Sequence, residues 1–183
     1  RKSKYSENGI VVLMGDHGWH HGEKKHWSKR TLWEVGTRTP LIFSGKRFVP
    51  ANQNCIQPVS LLDIYPTLID FCNLEPGNNL DGNSLRPLIE NPYLEWRKPA
   101  VTVWGKDNVS VKNKEWRYIR YCDGTDELYN LEKDKNEWEN LVYNDRNSYS
   151  EIIKNLEKYI PECKDPASFS KKRISWFNTE DLK

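Results

Sequence analysis

Hydrophobic positions along the chain follow one pattern before residue 99 and another after it. Ile10-Val11-Val12-Leu13-Met14 is an unbroken apolar run, rich in β-branched side chains and closed by Gly15. Such a run predicts a strand buried on both faces, as in a parallel α/β sheet. Pro40-Leu41-Ile42-Phe43, ended by Ser44-Gly45, predicts a second short strand. The connection between them, Asp16 to Thr39, is long and rich in His, Lys and Trp. Long connections leaving the carboxyl end of a parallel strand are where α/β folds place their ligands. Tyr65, Leu68, Ile69 and Cys72 stand at helical spacing; Pro66 fits a first turn, which makes Asp63 the expected N-cap. Residues 75–83 predict an irregular loop, and Ser84 to Ile89 a short helix ended by Asn91-Pro92.

After Pro99 the pattern shortens. Ala100 to Trp104, Asn108 to Lys112, Trp116 to Tyr121 and Glu127 to Tyr129 predict short strands separated by turn residues such as Gly105-Lys106-Asp107 and Asp123-Gly124. Trp116, Tyr118 and Arg120 alternate with Arg117, Ile119 and Tyr121, which suits an antiparallel meander. Tyr149, Ile152, Ile153, Leu156, Tyr159 and Ile160 mark one amphipathic helix, expected to pack across a face of that sheet. The last 20 residues, with Lys171-Lys172-Arg173 and Trp176-Phe177, show no period and predict an extended tail.

Composition narrows the function classes. A length of 183 residues suffices for a real core, and eight Trp, nine Tyr and five Phe exclude wholesale disorder. Lys plus Arg number 28 against 26 Asp plus Glu, for a net charge of +2, which disfavours a nucleic-acid binder held by its long-range field. No run approaches the roughly 20 apolar residues of a membrane span. The five apolar residues after the charged N-terminus are too few for a signal-peptide core. The chain starts at Arg1 and its one methionine is Met14, so a processed or truncated piece is expected. Cys55, Cys72, Cys122 and Cys163 form no C-x-x-C pair. They read as buried or free thiols, with one disulfide if the protein is exported, and the redox compartment stays open.

The suggestive chemistry lies between Gly15 and Lys29. All four histidines fall within ten residues here, directly after the apolar strand. Asp16 and His17 at a strand end, with Gly18 letting the backbone turn, are placed as adjacent metal ligands. The carboxylate favours Ca²⁺ or Mg²⁺ and the imidazole favours Zn²⁺ or Mn²⁺, so the pair leaves the metal undecided. Two donors also under-coordinate any of these ions. Lys29 reads either as one surface charge among Lys24, Lys25 and Arg30, or as the point charge that holds an anionic ester. His20, His21 and His26 are candidate acids or ligands. Trp19 is a candidate stacking platform, and Trp27 is expected in the core. No G-x-S-x-G, Walker A or C-x-x-C motif is present.

Five blocks in order carry a family resemblance. Asn8 to Lys24, with Gly15-Asp16-His17-Gly18-Trp19-His20-His21-Gly22-Glu23, resembles the type I sulfatase segment S-D-H-G-W-x-L-G-E of the alkaline phosphatase superfamily. Thr37-Arg38-Thr39-Pro40-Leu41-Ile42 resembles its T-R-V-P-L-I strand. Val59 to Leu68 resembles V-S-L-x-D-L-x-P-T-L, and Asp81 to Leu88 resembles D-G-x-S-L-x-P-L-L. Glu127 to Leu141 resembles E-L-Y-D-L-x-x-D-P-x-E-x-x-N-L. The Trp-rich first block and Pro99-Ala100-Val101-Thr102 most resemble the iduronate-2-sulfatase-like bacterial branch.

The resemblance implies an α/β fold: residues 1–98 as the C-terminal portion of an alkaline-phosphatase-like α/β sandwich, and 99–183 as a small antiparallel subdomain with one packed helix and a tail. It implies removal of sulfate from a sulfated saccharide, with Asp16 and His17 at a Ca²⁺ site, Lys29 on the sulfate group, and Trp19 and His20 toward substrate. It also implies a periplasmic, secreted or lysosomal-type setting. The family's nucleophile is a formylglycine made from cysteine in C-x-P-S-R or C-x-A-S-R, and none of the four cysteines stands in such a motif. The Asp-Asp metal pair of the family's N-terminal part is absent too. An N-terminal part of the same enzyme is therefore the expected partner. The same-class alternative is a phosphoester or phosphonate hydrolase using Zn²⁺ or Mn²⁺; the alternative of another class is a non-catalytic glycan-binding pseudo-enzyme.

Overall fold

The computed structural model describes residues 3–77 and 79–162. Its elements run β1 (Val11–Met14), β2 (His20–His21), β3 (Trp27–Ser28), α1 (Glu34–Thr37), β4 (Leu41–Ser44), α2 (Ile64–Cys72), α3 (Arg86–Glu90), β5 (Ala100–Val103), β6 (Val109–Lys112), β7 (Trp116–Arg120), β8 (Asp126–Asn130), α4 (Leu141–Asp145) and α5 (Ser150–Glu157). The described residues form two compact units, one of those up to 16 and from 39 to 98, the other of those from 17 to 38 and from 99 onward. The segment 17–38, grouped by the sequence with residues 1–98, thus packs with the residues after 98.

In the first unit β1 pairs with β4 antiparallel, Met14 opposite Leu41 and Val11 opposite Ser44. This corrects the parallel strand expected from the apolar run. The chain returns to the same strand end it left, and the Gly15 N–H donates to the Pro40 carbonyl at 3.0 Å. Burial on both faces is corrected as well, since Val11 is 65% and Leu13 61% exposed. Among the described residues only β4 pairs with β1.

The third and fourth sequence blocks are each other's packing partners. Asp63 stands at the N-cap of α2, as expected, but its side chain does not cap that helix: a 3-10 turn at Leu61–Asp63, capped by Ser60, runs into α2, and Asp63 reaches back to the Ser60 N–H at 2.8 Å in a reciprocal capping box. The other Asp63 oxygen accepts from the Asn83 N–H at 2.8 Å. Gly82 lies so close that a Cβ there would stand 2.1 Å from the Leu62 carbonyl oxygen, so no side chain fits. Buried Thr67 donates to the Asp63 carbonyl at 2.5 Å and accepts from the Leu85 N–H at 2.8 Å. Thr67→Val keeps the shape but strands the Leu85 N–H, and is expected to cost about 1–3 kcal/mol, measured by urea unfolding of the chain.

The second unit is a four-stranded antiparallel meander in the order β5-β6-β7-β8, as the alternation predicted. Val111, Tyr118 and Leu128 lie opposite one another across three strands. With Val109 they form a core under Ile153 and Leu156 of α5. Asn140 closes this layer by capping α4 and exchanging hydrogen bonds with the β8 backbone at Asp126 and Leu128. The opposite face is also covered: Leu32 packs on Ile119, Tyr121 and Tyr129. The expected tail and Cys163 lie outside the described residues; Cys55, Cys72 and Cys122 form no disulfide among the described residues.

Candidate functional site

The segment from His17 to Arg38 folds back on itself through two glycines. The Gly18 N–H donates to the Gly36 carbonyl at 2.9 Å. A Cβ on Gly18 would lie 1.9 Å from the Val35 carbonyl oxygen, and one on Gly36 2.4 Å from Thr31 Oγ1, so both positions require glycine. This fold brings His17 and Lys29 together, Lys29 Nζ lying 2.7 Å from His17 Nε2. His17 Nδ1 lies 2.8 Å from the Gly18 carbonyl, which can only accept, so the proton sits on Nδ1 and Nε2 offers its lone pair. The indole of Trp19, half exposed, stands beside the imidazole with ring centroids 6.2 Å apart.

Asp16 is exposed and ends the first stretch of the first unit, and His17 begins the second unit. Among the described residues no three His, Cys, Asp or Glu side chains come together as metal donors. A carboxylate and an imidazole are each suited by chemistry to a divalent cation, but two donors are too few to hold one, and His17 Nε2 here faces the Lys29 ammonium, so it would bind a cation only in exchange for that contact.

His20, expected toward substrate, lies inside this unit. It is fully buried, Nε2 lying 2.7 Å from Thr31 Oγ1 and Nδ1 3.3 Å from the Glu23 carbonyl, with its ring edge-to-face on His26 and Trp33. The expected core position of Trp27 is also corrected. β2 and β3 form a two-residue hairpin pairing His21 with Trp27, which turns His26 inward (4% exposed) and Trp27 outward (66%).

Burial lowers the His20 imidazole below its ordinary value of 6.5; the Glu23 carbonyl opposes this, and His26 adds to it. Burial also lowers His26. The unfolded chain therefore takes up protons near 6.5 that these folded rings accept only at lower pH, so stability falls as pH drops below about 6.5. Thermal melts between pH 7.5 and 5.5 should show that decline in the natural chain, and a flatter profile in the double variant His20→Gln, His26→Gln.

Sequence reasoning missed the charged centre of this unit. Arg117, 1% exposed, lies opposite Lys112 on β6, a like-charge pair that is unfavourable by itself. Glu34 neutralises both, meeting Lys112 Nζ at 2.7 Å and also Arg117 Nη2. Arg117 Nε lies 2.5 Å from Glu137 Oε1, and its Nη1 donates to Ser110 Oγ at 2.8 Å and to the Leu32 carbonyl at 3.0 Å. Burial works to raise the Glu34 carboxyl, but Arg117 and Lys112 outweigh it and hold the group below its ordinary value. For Glu137 burial wins and the carboxyl is raised in spite of Arg117. Lys24 extends the cluster: its ammonium donates to the Glu137 carbonyl and sits 4.7 Å and 4.8 Å from the ring centres of Trp33 and Tyr129. A cavity of about 140 Å³ lies here, among His20, Lys24, Trp33 and Trp138, with neither His17 nor Lys29 in its lining. No local signal marks this cluster, because its members lie 83 and 103 positions apart in the chain.

The described geometry can be set beside known proteins. Residues 22–165 match the family model described as N-sulphoglucosamine sulphohydrolase, C-terminal. The chain belongs to the sulfatase family. It is 37% identical over 163 residues to a protein named sulfatase from Formosa agariphila, a match covering 88% of this chain and 31% of that protein. Arylsulfatase K of Danio rerio is 29% identical over 174 residues, covering 88% of this chain and 32% of that protein. A solved 2-O GAG sulfatase shares the fold with a TM-score of 0.71 at 23% identity, over 85% of this chain and 36% of that one. This sulfatase chain thus spans about a third of the length of the curated relatives it matches. The family match begins at Gly22 and so takes in Lys29, but not Asp16, His17, Trp19 or His20.

Proposed function

We propose that this chain is the C-terminal part of a sulfuric ester hydrolase that removes sulfate from a sulfated glycan. The observation that carries the reading is the Lys29–His17 pair, a cation held 2.7 Å from an oriented imidazole, in a member of the sulfatase family. A compact ammonium with three donors suits an anionic ester oxygen, and its contact with His17 restrains the flexible lysine stem before substrate arrives. Trp19 beside His17 offers an exposed ring to a saccharide. Asp16 and His17, consecutive in the chain, would hold a Ca²⁺ ion as two of its ligands, His17 exchanging its Lys29 contact for the ion, with the remaining ligands and the nucleophile coming from an N-terminal part of the same enzyme. The ion's contribution, when bound, is to draw negative charge from the ester oxygens. The exposed apolar side chains of β1 support a further segment packed there.

The finer assignment is to the iduronate-2-sulfatase-like branch, supported by the Trp-rich first block and by Pro99-Ala100-Val101-Thr102. The test is a paired assay of aryl sulfate and aryl phosphate on the complete protein, with metal analysis of the same preparation. Sulfate turnover with bound calcium is expected. Preferential phosphate turnover with bound zinc overturns the reading, and absence of turnover on both, with retained glycan binding, points to a non-catalytic protein.

A further inference from the structure

The block from Glu127 to Leu141 lies far along the chain from His17 and Lys29, and the proposed chemistry gives it no task. Glu137 is nonetheless its most constrained member. It is 1% exposed and holds a left-handed backbone at φ 58, a conformation disfavoured for a residue with a side chain. Such strain persists where the surroundings over-determine it. Here the Glu137 N–H donates to the Asp134 carbonyl at 3.2 Å, its own carbonyl accepts from Lys24, and Arg117 holds its carboxylate.

What that carboxylate reaches is the segment that builds the site. Glu137 Oε2 accepts the Glu34 N–H at 2.7 Å, at the first residue of α1. Two positions on, the Gly36 carbonyl receives the Gly18 N–H, the amide that follows His17. A Cβ on Gly36 would stand 3.1 Å from the Lys29 carbonyl oxygen, so α1 also packs on the lysine's own backbone. One short helix therefore grips the chain on both sides of the His17–Lys29 contact, and a side chain about a hundred residues away fixes that helix. A buried carboxylate accepting a backbone N–H while paired with a buried guanidinium has one favourable position, so it sets geometry as well as adding stability.

We propose that Glu137 is a positioning residue for the His17–Lys29 pair, acting through its hydrogen bond to Glu34 and through α1. This rests on the sulfatase reading for what the pair does, and on the contacts alone for how the pair is held. Two conservative variants separate the hydrogen bond from the charge. Glu137→Gln keeps an oxygen for the Glu34 N–H and loses the charge. Glu137→Asp keeps the charge and withdraws the oxygen by one methylene.

The experiment is residue-resolved amide hydrogen exchange on the 183-residue chain. Glu137→Asp should exchange at Glu34 and Gly18 at least about tenfold faster than the natural chain, since opening a local unit raises exchange only there. Measured against the amides of Val111, Tyr118 and Leu128, which report any general loss of stability from changing the Arg117 ion pair, Glu137→Gln should stay near the natural rates at both positions. The proposal is overturned if Gly18 keeps its natural rate in Glu137→Asp, or if exchange in that variant rises uniformly through the sheet, which is a purely structural effect. A second measurement on the complete protein reads the same variants by kcat and KM on aryl sulfate. A tenfold fall in kcat for Glu137→Asp, absent in Glu137→Gln, is expected, and equal falls in both overturn the positioning role. If aryl sulfate proves not to be a substrate, the sulfatase reading fails while the exchange result still decides the role of Glu137.

Discussion

Arg117→Ala should destabilise the chain by about 3–5 kcal/mol, the range for removing one partner from a buried ion pair. The guanidinium touches Glu34, Glu137, Ser110 and the Leu32 carbonyl. Its loss leaves the buried Glu137 carboxylate and the partly buried Glu34 carboxylate with Lys24 and Lys112 as their remaining cations, and a void where a long side chain stood. Domain stabilities of about 5–15 kcal/mol make this a large fraction of the total. The checking measurement is a urea unfolding midpoint followed by a sheet reporter such as Trp116. Arg117→Met, Glu34→Gln, Glu137→Gln as a triple variant should recover much of the loss, because no uncompensated charge remains buried. A midpoint for Arg117→Ala equal to that of the natural chain would mean that water enters the cluster and the ions are not truly desolvated.

Lys29→Ala should lower turnover of the complete enzyme by at least about two orders of magnitude, the scale of losing one preorganised contact to a charged oxygen. The fold should survive, since Lys29 is only half-buried and its side-chain partner is His17. Lys29→Arg should restore little, because a planar fork does not replace a compact ammonium held against an imidazole. Steady-state kinetics on a small sulfate ester, with circular dichroism to verify folding, provide the check. A natural rate in Lys29→Ala would mean that the lysine serves only to orient His17.

Where a repeating pattern reaches over several residues, the chain was legible. The β5 to β8 meander and α5 follow from period 2 and period 3.6, because each buries a continuous row such as Val111, Tyr118 and Leu128, or Ile153 and Leu156. Asp63 stands at the N-cap of α2 as expected, but its carboxylate accepts from the Ser60 N–H, because a 3-10 turn capped by Ser60 leads into the helix and only the fold shows that turn. Trp27, expected in the core, faces outward because a two-residue strand is too short for alternation to show its phase. Arg117 read as one half of an amphipathic alternation; the second face of β7 is covered by Leu32 and Glu34, and nothing local announces a cover that arrives from residue 32.

The sequence by itself determined the residue chemistry at the site: Asp16 and His17 after an apolar strand, Gly18 where the chain turns, Lys29 twelve residues beyond, and the sulfatase resemblance of five ordered blocks. These are properties of neighbours along the chain, and local sterics and donor types suffice to read them. Only the tertiary structure decided that the strand before them pairs antiparallel, that His20 is buried, and that Glu137 and Arg117 stand behind the segment carrying His17 and Lys29. The physical reason is that burial and charge pairing depend on which distant surface closes over a residue, and that choice is made by the whole fold.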